Sequence, residues 1–245
     1  MYRFFIDESQ VNGNFIEITG EDVNHIKNVL RMKKGEQVLL SNRRGMEYEC
    51  ELETMDGNSI LAKITDIHGV ESELNERIVL FQGLPKGDKM EMVIQKAVEL
   101  GASEIVPVKM KRCVVKLDEK KAKKKLERWN AIALGAAKQS KRGVVPTVSE
   151  VLTFQEAVQK ARSLSAVLVP YEAAEGMEHS RKVIRDTKGS ESVGVFIGPE
   201  GGFEPGEIEE LRQAGGKVLS LGRRILRTET AGMAVLSVLM FELEE

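Results

Sequence analysis

The segment VGVFIGPEGGFEPGEIEELRQAGGKVLSLGRRILRTETAG, residues 193–232, contains two glycine-bearing loops, each directly after a strand-like apolar run. The first loop is IGPEGGF, residues 197–203, and the second is LGRRILRTETAG, residues 221–232. In a parallel sheet, ligands bind beyond the carboxyl ends of the strands, where glycines let backbone groups approach closely. The pattern therefore predicts a ligand site to which both loops contribute.

Neither loop has a known dinucleotide or triphosphate signature. G-x-G-x-x-G and G-x-x-x-x-G-K-[ST] are both absent, and no acidic residue stands at the ribose position, so NAD and ATP are disfavoured. A purely structural alternative is that Gly201 and Gly202 form a tight turn before a helix that begins at Pro205. Glu204 and Glu207 would then lie favourably at the positive end of that helix.

Strand-like and helix-like segments alternate on both sides of these loops. In order they are RIVLFQG from residue 77, a helix from Asp88, EIVPV, a helix from Asp118, AVLVP, a short helix, VGVFIG, a helix from Pro205, KVLSLG and a helix from Glu229. Such alternation is typical of a parallel sheet covered by helices. We therefore predict an α/β domain over residues 73–245.

The N-terminal part has a different rhythm. Residues 36–67 contain three strand-like runs separated by turn residues, after a helix-like pattern over residues 22–33. The middle run, MEYECELE, alternates between an apolar face (Met46, Tyr48, Cys50, Leu52) and an acidic one (Glu47, Glu49, Glu51, Glu53). We predict a small β-barrel over residues 1–72, with the glutamates of this strand facing water.

Composition limits the possible functions. The 245 residues carry 36 basic and 38 acidic side chains, and 42% of them are apolar, which is ordinary for a globular protein. Two distant cysteines and three histidines without ligand spacing argue against a disulfide scaffold and a metal site. Without an export signal or a long apolar run, we expect a cytoplasmic protein with no membrane segment.

Positive charge is concentrated in one region. Residues 109–142 contain 13 basic and 3 acidic residues, a net charge of +10 in a chain whose total is −2. This segregation predicts a polyanionic partner, RNA or DNA, held mainly through phosphates, because aromatic residues make up only 5% of the chain. For the run KKAKKK, residues 120–125, a solvated helix face is the alternative.

The last helix is apolar nearly all round. Its segment TAGMAVLSVLMF, residues 230–241, requires burial on every side. The cover can come from its own domain or from a second subunit, and the sequence does not distinguish the two.

The pair of loops, GPEGGF and LGRRILRTETA, resembles the cofactor-binding signature of the SPOUT methyltransferases. Within them the chain is similar to the RsmE family, bacterial 16S ribosomal RNA uridine-N3 methyltransferases. The resemblance also extends over HIKNVLRMKKG (25–35), LPKGDKMEMVIQKAVELGASEIVP (84–107), Arg128-Trp129, AAKQSKR (136–142) and Val145-Pro146.

The resemblance implies a PUA-like β-barrel that holds RNA, followed by a SPOUT parallel sheet with a C-terminal trefoil knot, one of the rare exceptions to the rule that chains are not knotted. It also implies S-adenosylmethionine as the cofactor, a homodimer, and the 16S ribosomal RNA of the small ribosomal subunit as the partner. The cofactor pocket carried over by position comprises Leu168, Val169, Pro170, Tyr171, Gly198, Pro199, Glu200, Gly201, Gly202, Leu221, Gly222, Ile225, Leu226, Arg227, Thr230 and Ala231.

The expected phosphate contacts are basic or amide side chains from both domains. They are Arg3, Arg31, Arg43, Arg44, Lys86, Lys89, Lys138, Gln139, Lys141 and Arg142.

Methyl transfer from a sulfonium needs few catalytic side chains, because the donor is already activated. The N3–H of uridine is weakly acidic, and its loss leaves negative charge on the ring. We hypothesise that Arg227 stabilises this charge, while Glu229 or Glu200 orients Arg227 or accepts the proton. The alternative for Arg227 and Glu229 is a surface ion pair of little consequence.

Two other functions remain open on the residues alone. One is a SPOUT methyltransferase that acts on another rRNA or tRNA nucleotide. The other is a dimeric RNA-binding assembly factor without catalytic activity, whose glycine loops are only turns.

Overall fold

The computed structural model describes residues 1–115, 117–172, 174 and 176–244, and their contacts divide the chain into two units. The first unit is Met1–Glu73 with Ala137–Val145, and the second is Leu74–Ala136 with Pro146–Glu245. The expected boundary after residue 72 assigned 137–145 to the second domain, whereas the contacts group this segment with the first. Lys116, one of the basic residues counted above, lies outside the described residues, as does the side chain of Glu119.

The first unit is built on a six-stranded sheet with the order β1-β4-β5-β6-β3-β2. Its elements are β1 (Tyr2–Phe5), β2 (Val11–Asn12), β3 (Phe15–Thr19), α1 (Glu21–Asn24, continued by a π-helical turn over His25–Val29), β4 (Gln37–Ser41), β5 (Met46–Thr54) and β6 (Ser59–Gly69). Only β1 and β4 pair in parallel. The buried apolar side chains of these strands form a core that is separate from that of the second unit.

The face assignment predicted for β5 is wrong in its first half. The pairing of β5 with β6 shifts register between Glu49, opposite Asp66, and Cys50, opposite Ile64, and the burial of β5 changes phase at the same place. Cys50 is buried as predicted, but Met46 is 40% exposed and Glu47 is buried. The extra residue at this shift, Thr65, lies in the partner strand β6, so the alternation within β5 does not reveal it.

The second unit confirms the α/β prediction. Its strands pair in parallel in the order β10-β8-β7-β12-β11-β13, and β9 pairs with β8. The strands are β7 (Arg77–Gly83), β8 (Ala102–Lys109), β9 (Thr147–Val148), β10 (Leu152–Thr153), β11 (Ala166–Pro170), β12 (Ser192–Ile197) and β13 (Lys217–Leu219). The sequence predicted all but β9 and β10, which have two residues each and therefore no readable periodicity.

Six further helices follow: α2 (Lys89–Glu99), α3 (Glu119–Gln139), α4 (Phe154–Ala161), α5 (Met177–Arg185), α6 (Pro205–Gln213) and α7 (Thr228–Leu243). Helix α4 was not predicted, although Thr153 and Glu156 form a capping box at its start, a signal readable in the sequence. Over the described part of the chain, no helix has the length and apolarity needed to cross a membrane.

Candidate functional site

A cavity of about 440 Å³ lies in the second unit, where β11, β12 and β13 end. Parallel strands direct their carboxyl ends to the same edge, so the loops that follow them meet there. The lining comes from residues 170–172, 197–203, 220–222 and 224–228, together with Lys89, Arg112 and Ala231. Both glycine-bearing loops therefore border one cavity, as their positions after strands predicted.

Most of the expected cofactor residues line this cavity. They are Pro170, Tyr171, Gly198, Pro199, Glu200, Gly201, Gly202, Leu221, Gly222, Ile225, Leu226, Arg227 and Ala231. Leu168 and Val169 are buried inside β11, and Thr230 is exposed on α7; none of the three belongs to the lining. Lys89, Arg112, Ser220 and Thr228 line the cavity but were not expected to contact the cofactor.

The glycines of the first loop allow approaches that a side chain would prevent. A Cβ on Gly83, at the end of β7, would lie 2.7 Å from the backbone nitrogen of Pro199. A Cβ on Gly201 would lie 2.9 Å from Cβ of Arg112. Gly202 has φ +68°, which favours glycine. The first loop therefore packs closely against Gly83 and Arg112 because its glycines have no side chains. These glycines can form a tight turn and line a ligand site at the same time.

Thr228 and Gln82 form a buried polar link below the cavity. The Thr228 hydroxyl donates to the carbonyl of Gly198 at 2.6 Å and accepts from Nε2 of Gln82 at 2.8 Å. Nε2 also donates to the carbonyl of Gly83 at 3.0 Å. The link joins the end of β7, the first loop and the start of α7. Sequence reasoning missed both residues, because nothing local marks a glutamine in an apolar strand as a contact of residue 228.

Lys89 lies between the two acidic residues suggested for catalysis. Its Nζ is 3.2 Å from Oε1 of Glu200 and 3.3 Å from Oε2 of Glu229. Glu200 Oε1 also accepts from the backbone N–H of Lys86 at 3.0 Å. Three segments distant in sequence therefore supply one ammonium and two carboxylates. Lys89 was expected to be a phosphate contact, and in the structure its ammonium is ion-paired with these two carboxylates.

The ion pairs change the acid–base properties of two members. The hydrogen bond to Glu200 raises the pKa of Lys89, outweighing the opposite effect of burial. Burial alone would raise the pKa of Glu200, but hydrogen bonds from Lys86 and Lys89 outweigh it, and that pKa is lowered. Lys89 is therefore held as an ammonium and Glu200 as a carboxylate.

Arg227 is the N-terminal capping residue of α7, and its exposed side chain lines the cavity. Among the described residues, no ion pair within 4 Å joins Arg227 to Glu229 or Glu200. The carboxylates of Glu200 and Glu229 therefore do not orient Arg227 in this structure, because both are ion-paired with Lys89.

Arg112 supports the first loop from the side. Its Nε donates to Glu204 at 2.6 Å, and another guanidinium nitrogen donates to the carbonyl of Gly201 at 3.0 Å. The hydrogen bond from Arg112 lowers the pKa of Glu204. Arg112 was counted only as part of the basic region, and its contact with a residue 89 positions away could not be anticipated locally.

Several expected RNA contacts lie in the first unit. Arg31, Arg43 and Lys141 are exposed and have positive φ values of 54°, 64° and 58°. Arg43 and Arg44 form bridges with Val144, so the turn after β4 lies beside segment 137–145. These exposed basic side chains are available to phosphates. Exposed Lys138 and Gln139 belong to the same segment, and Lys138 is ion-paired with Asp22 at 3.3 Å.

Two expected RNA contacts are used inside the first unit. The Arg142 side chain is only 5% exposed, and its guanidinium binds the Glu73 carboxylate, with Nε at 3.1 Å from Oε2. Arg3 is ion-paired with buried Glu47 at 2.9 Å. Burial and ion pairing favour a structural role for Arg142, because a phosphate could reach it only by displacing Glu73.

Comparisons with known proteins agree with this architecture. The RNA methyltransferase domain family matches residues 72–240, and the RNA methyltransferase PUA domain family matches residues 18–65. The ribosomal RNA small subunit methyltransferase E of Bacillus subtilis is 41% identical over 100% of this chain and 98% of its own.

Two solved structures with the bound methyl donor are similar over nearly the whole chain. The ribosomal RNA small subunit methyltransferase E of Neisseria gonorrhoeae bound to S-adenosylmethionine has a TM-score of 0.83 and 31% identity, covering 98% of this chain and 97% of its own. A methyltransferase from Legionella pneumophila in complex with S-adenosylmethionine has a TM-score of 0.80 and 34% identity, covering 98% and 96%.

Fold, cavity and comparisons together define an RNA methyltransferase with a PUA domain and with S-adenosylmethionine as its cofactor. The glycine loops and the apolar residues Ile225 and Leu226 suit such a ligand, because they offer backbone polar groups beside an apolar surface. The chain belongs to the ribosomal RNA small subunit methyltransferase E family.

Proposed function

We propose that this protein methylates N3 of a specific uridine in the 16S ribosomal RNA of the small ribosomal subunit. The observation that carries the proposal is that both glycine-bearing loops border the same cavity in a chain of this family. The relatives' name supports ribosomal RNA of the small subunit as the substrate. The assignment of N3 of uridine as the methylated atom rests on the resemblance of the two loops to those of the uridine-N3 methyltransferases.

The cofactor is held by the three loops that follow β11, β12 and β13. It supplies an activated methyl group on a sulfonium. Gly198 to Gly202 present backbone groups, while Ile225 and Leu226 provide apolar contacts. Leu168, Val169 and Thr230 act indirectly, through the strand and helix that carry the lining residues.

For the chemical step, Arg227 supplies positive charge at the cavity wall, which stabilises the anion formed when the N3 proton leaves. Glu229 and Glu200 are the candidates for accepting this proton or for orienting a cation. Replacing Arg227 by alanine should reduce the rate of methyl transfer at saturating RNA. If only RNA affinity falls, Arg227 is a binding residue and has no role in the chemistry.

RNA is bound by phosphate contacts from the exposed members of the expected set. Arg31, Arg43, Arg44, Lys138, Gln139 and Lys141 serve in the first unit and Lys86 in the second, whereas Arg3 and Arg142 support them from within. Lower affinity and a shallower salt dependence on replacing each exposed basic residue, and lower affinity alone for Gln139, would support this division.

We also propose the remaining features that the resemblance implies. Residues 1–72 and 73–245 act as RNA-binding and methyltransferase domains, and the C-terminal part of the latter is a trefoil knot. The enzyme is a homodimer that works in the cytoplasm, where its ribosomal substrate is located. Exposure of Val238 and Phe241 on α7, 43% and 83%, supports a second subunit covering this helix.

The deciding experiment incubates the purified protein with S-adenosylmethionine and small ribosomal subunits from cells lacking the enzyme, followed by mass spectrometry of the digested RNA. New 3-methyluridine supports the proposal. Another methylated nucleoside, in rRNA or in added tRNA, supports the alternative SPOUT activity. Cofactor binding without methylation of any of these RNAs would contradict the assigned substrate.

A further inference from the structure

The ammonium of Lys89 lies at the cavity wall and is held by two carboxylates. It begins α2, while its partners Glu200 and Glu229 come from the first glycine loop and from α7. The three side chains are 29%, 27% and 14% exposed, so all are largely withdrawn from water. Nζ of Lys89 lies 3.2 Å from Oε1 of Glu200 and 3.3 Å from Oε2 of Glu229, so it is held from two directions.

Position distinguishes the three charges. Lys89 and Glu200 line the cavity, whereas Glu229 does not. Oε2 of Glu229 is buried and has no hydrogen-bond partner among the described residues, so its contact with Lys89 is electrostatic. Besides Lys89 and Glu200, the charged lining residues are Arg112, Glu172, Arg224 and Arg227.

A fixed cation suits the chemistry of the acceptor. When the N3–H bond of a uracil breaks, its electron pair spreads over N3 and the two adjacent carbonyl oxygens. A preorganised positive charge stabilises such an anion more than a mobile one, because no reorganisation is needed during the reaction. Lys89 is preorganised by two carboxylates, whereas exposed Arg227 has no comparable support in the described part of the chain.

We propose that Lys89 stabilises the uracil anion during methyl transfer, together with Arg227, and that Glu200 and Glu229 are positioning residues for its ammonium. This rests on the proposed uridine-N3 activity. Of the two roles proposed for Glu200 and Glu229, orienting a cation is the one taken here, so the N3 proton is released to water and leaves its electron pair on N3. The N3–C bond then forms as the S–C bond breaks, and the electron pair of that bond goes to sulfur.

The test compares K89Q, K89R and the control K96Q. Lys96 is also on α2 and is ion-paired with Glu99 at 2.8 Å, but it does not line the cavity. At saturating RNA and cofactor near pH 7, we expect K89Q to lower kcat roughly 100-fold, the size typical of losing one oxyanion-stabilising group. K89R should recover part of the rate, and K96Q should resemble the unmodified enzyme.

The pH profile between 6 and 9 separates this role from a structural one. If Lys89 lowers the pKa of the bound uracil, the wild-type rate levels off at a lower pH than the K89Q rate, so the deficit of K89Q shrinks as pH rises. Calorimetry should give a dissociation constant for S-adenosylmethionine within about threefold of wild type. E229Q should lower kcat less than K89Q does. The double variant K89Q/E229Q should lose less activity than the sum of the two single effects on the activation free energy predicts.

Three outcomes would overturn the proposal. A K89Q variant with unchanged kcat but weaker, less salt-dependent RNA binding would make Lys89 a phosphate contact. Loss of cofactor affinity with unchanged kcat would make it a cofactor contact. Unshifted pH dependence in both K89Q and K89R would leave only a structural role. Absence of 3-methyluridine with the wild-type enzyme would instead refute the underlying activity.

Discussion

Thr228 tests whether the buried polar link shapes the cofactor site. T228V keeps the shape of the side chain but leaves the Gly198 carbonyl and one Gln82 N–H without their partner. We expect unfolding free energy to fall by about 1–3 kcal/mol, the cost of unpaired buried polar groups, and cofactor affinity to fall as well. Denaturant unfolding and calorimetry measure the two effects. T228S retains the hydroxyl, and an equal loss in T228S would contradict the role of the hydrogen bonds.

Gly201 tests the close approach of Arg112 to the first loop. In G201A the new Cβ would lie 2.9 Å from Cβ of Arg112, which is near the backbone and cannot rotate away. The loop must shift, so we expect weaker S-adenosylmethionine binding by calorimetry. G206A is the matched control, because no atom lies within 4 Å of the position its Cβ would take. Equal affinities of the two variants would show that the loop tolerates the displacement.

At the scale of elements, segment 137–145 is attached to the first unit by an ion pair and backbone contacts. Oε1 of Glu73 accepts from the backbone N–H of Gly143 and of Val144, both at 3.2 Å, while Arg142 binds the same carboxylate. The Ser41 hydroxyl donates to the carbonyl of Gly143 at 2.5 Å. The segment is thereby held beside the Arg43-Arg44 turn.

We expect R142M to lower the unfolding free energy by on the order of 3 kcal/mol, since it leaves Glu73 without its guanidinium partner. RNA affinity should fall with it, because Lys141 and Arg43 lose their fixed backbone. K138M breaks a more exposed ion pair and should change stability by less than about 1 kcal/mol. Chemical unfolding checks both values, and similar losses in the two variants would argue against a special role for Arg142.

The elements also show where sequence reasoning succeeds and fails. The apolar stripe of α2 and the long strands were predictable, because their periodicity reports directly which face is buried. The burial of Glu47 in β5 was not, since the register shift near it comes from an extra residue, Thr65, in the partner strand β6, and the alternation of β5 carries no sign of it. Glu47 is buried with Arg3 as its partner.

For the whole molecule, the exposed apolar residues of α7 predict a dimer. Phe241 is 83% exposed near the end of α7, whose segment 230–241 is mostly apolar, so F241E should dissociate the enzyme into monomers by placing a charge in the interface. Light scattering measures the change. I67E alters a residue that is 51% exposed in the first unit and should leave the dimer intact. A wild-type monomer, or a dimeric F241E, would contradict the expected interface.

By itself the sequence determined the α/β class, the long strands and helices, the two glycine-bearing loops and the family. These features are written in local periodicity, turn chemistry and motifs, so neighbouring residues are enough to reveal them.

Only the tertiary structure decided which distant residues meet. Pairing of β7 with β12 brings Gly83 beside Pro199, and the same sheet edge unites Lys89 with Glu200 and Glu229. The burial of Arg142 likewise depends on its ion pair with Glu73, which is 69 positions away in the sequence. Strand order and register depend on the packing of the whole sheet, and no local pattern of residues encodes them.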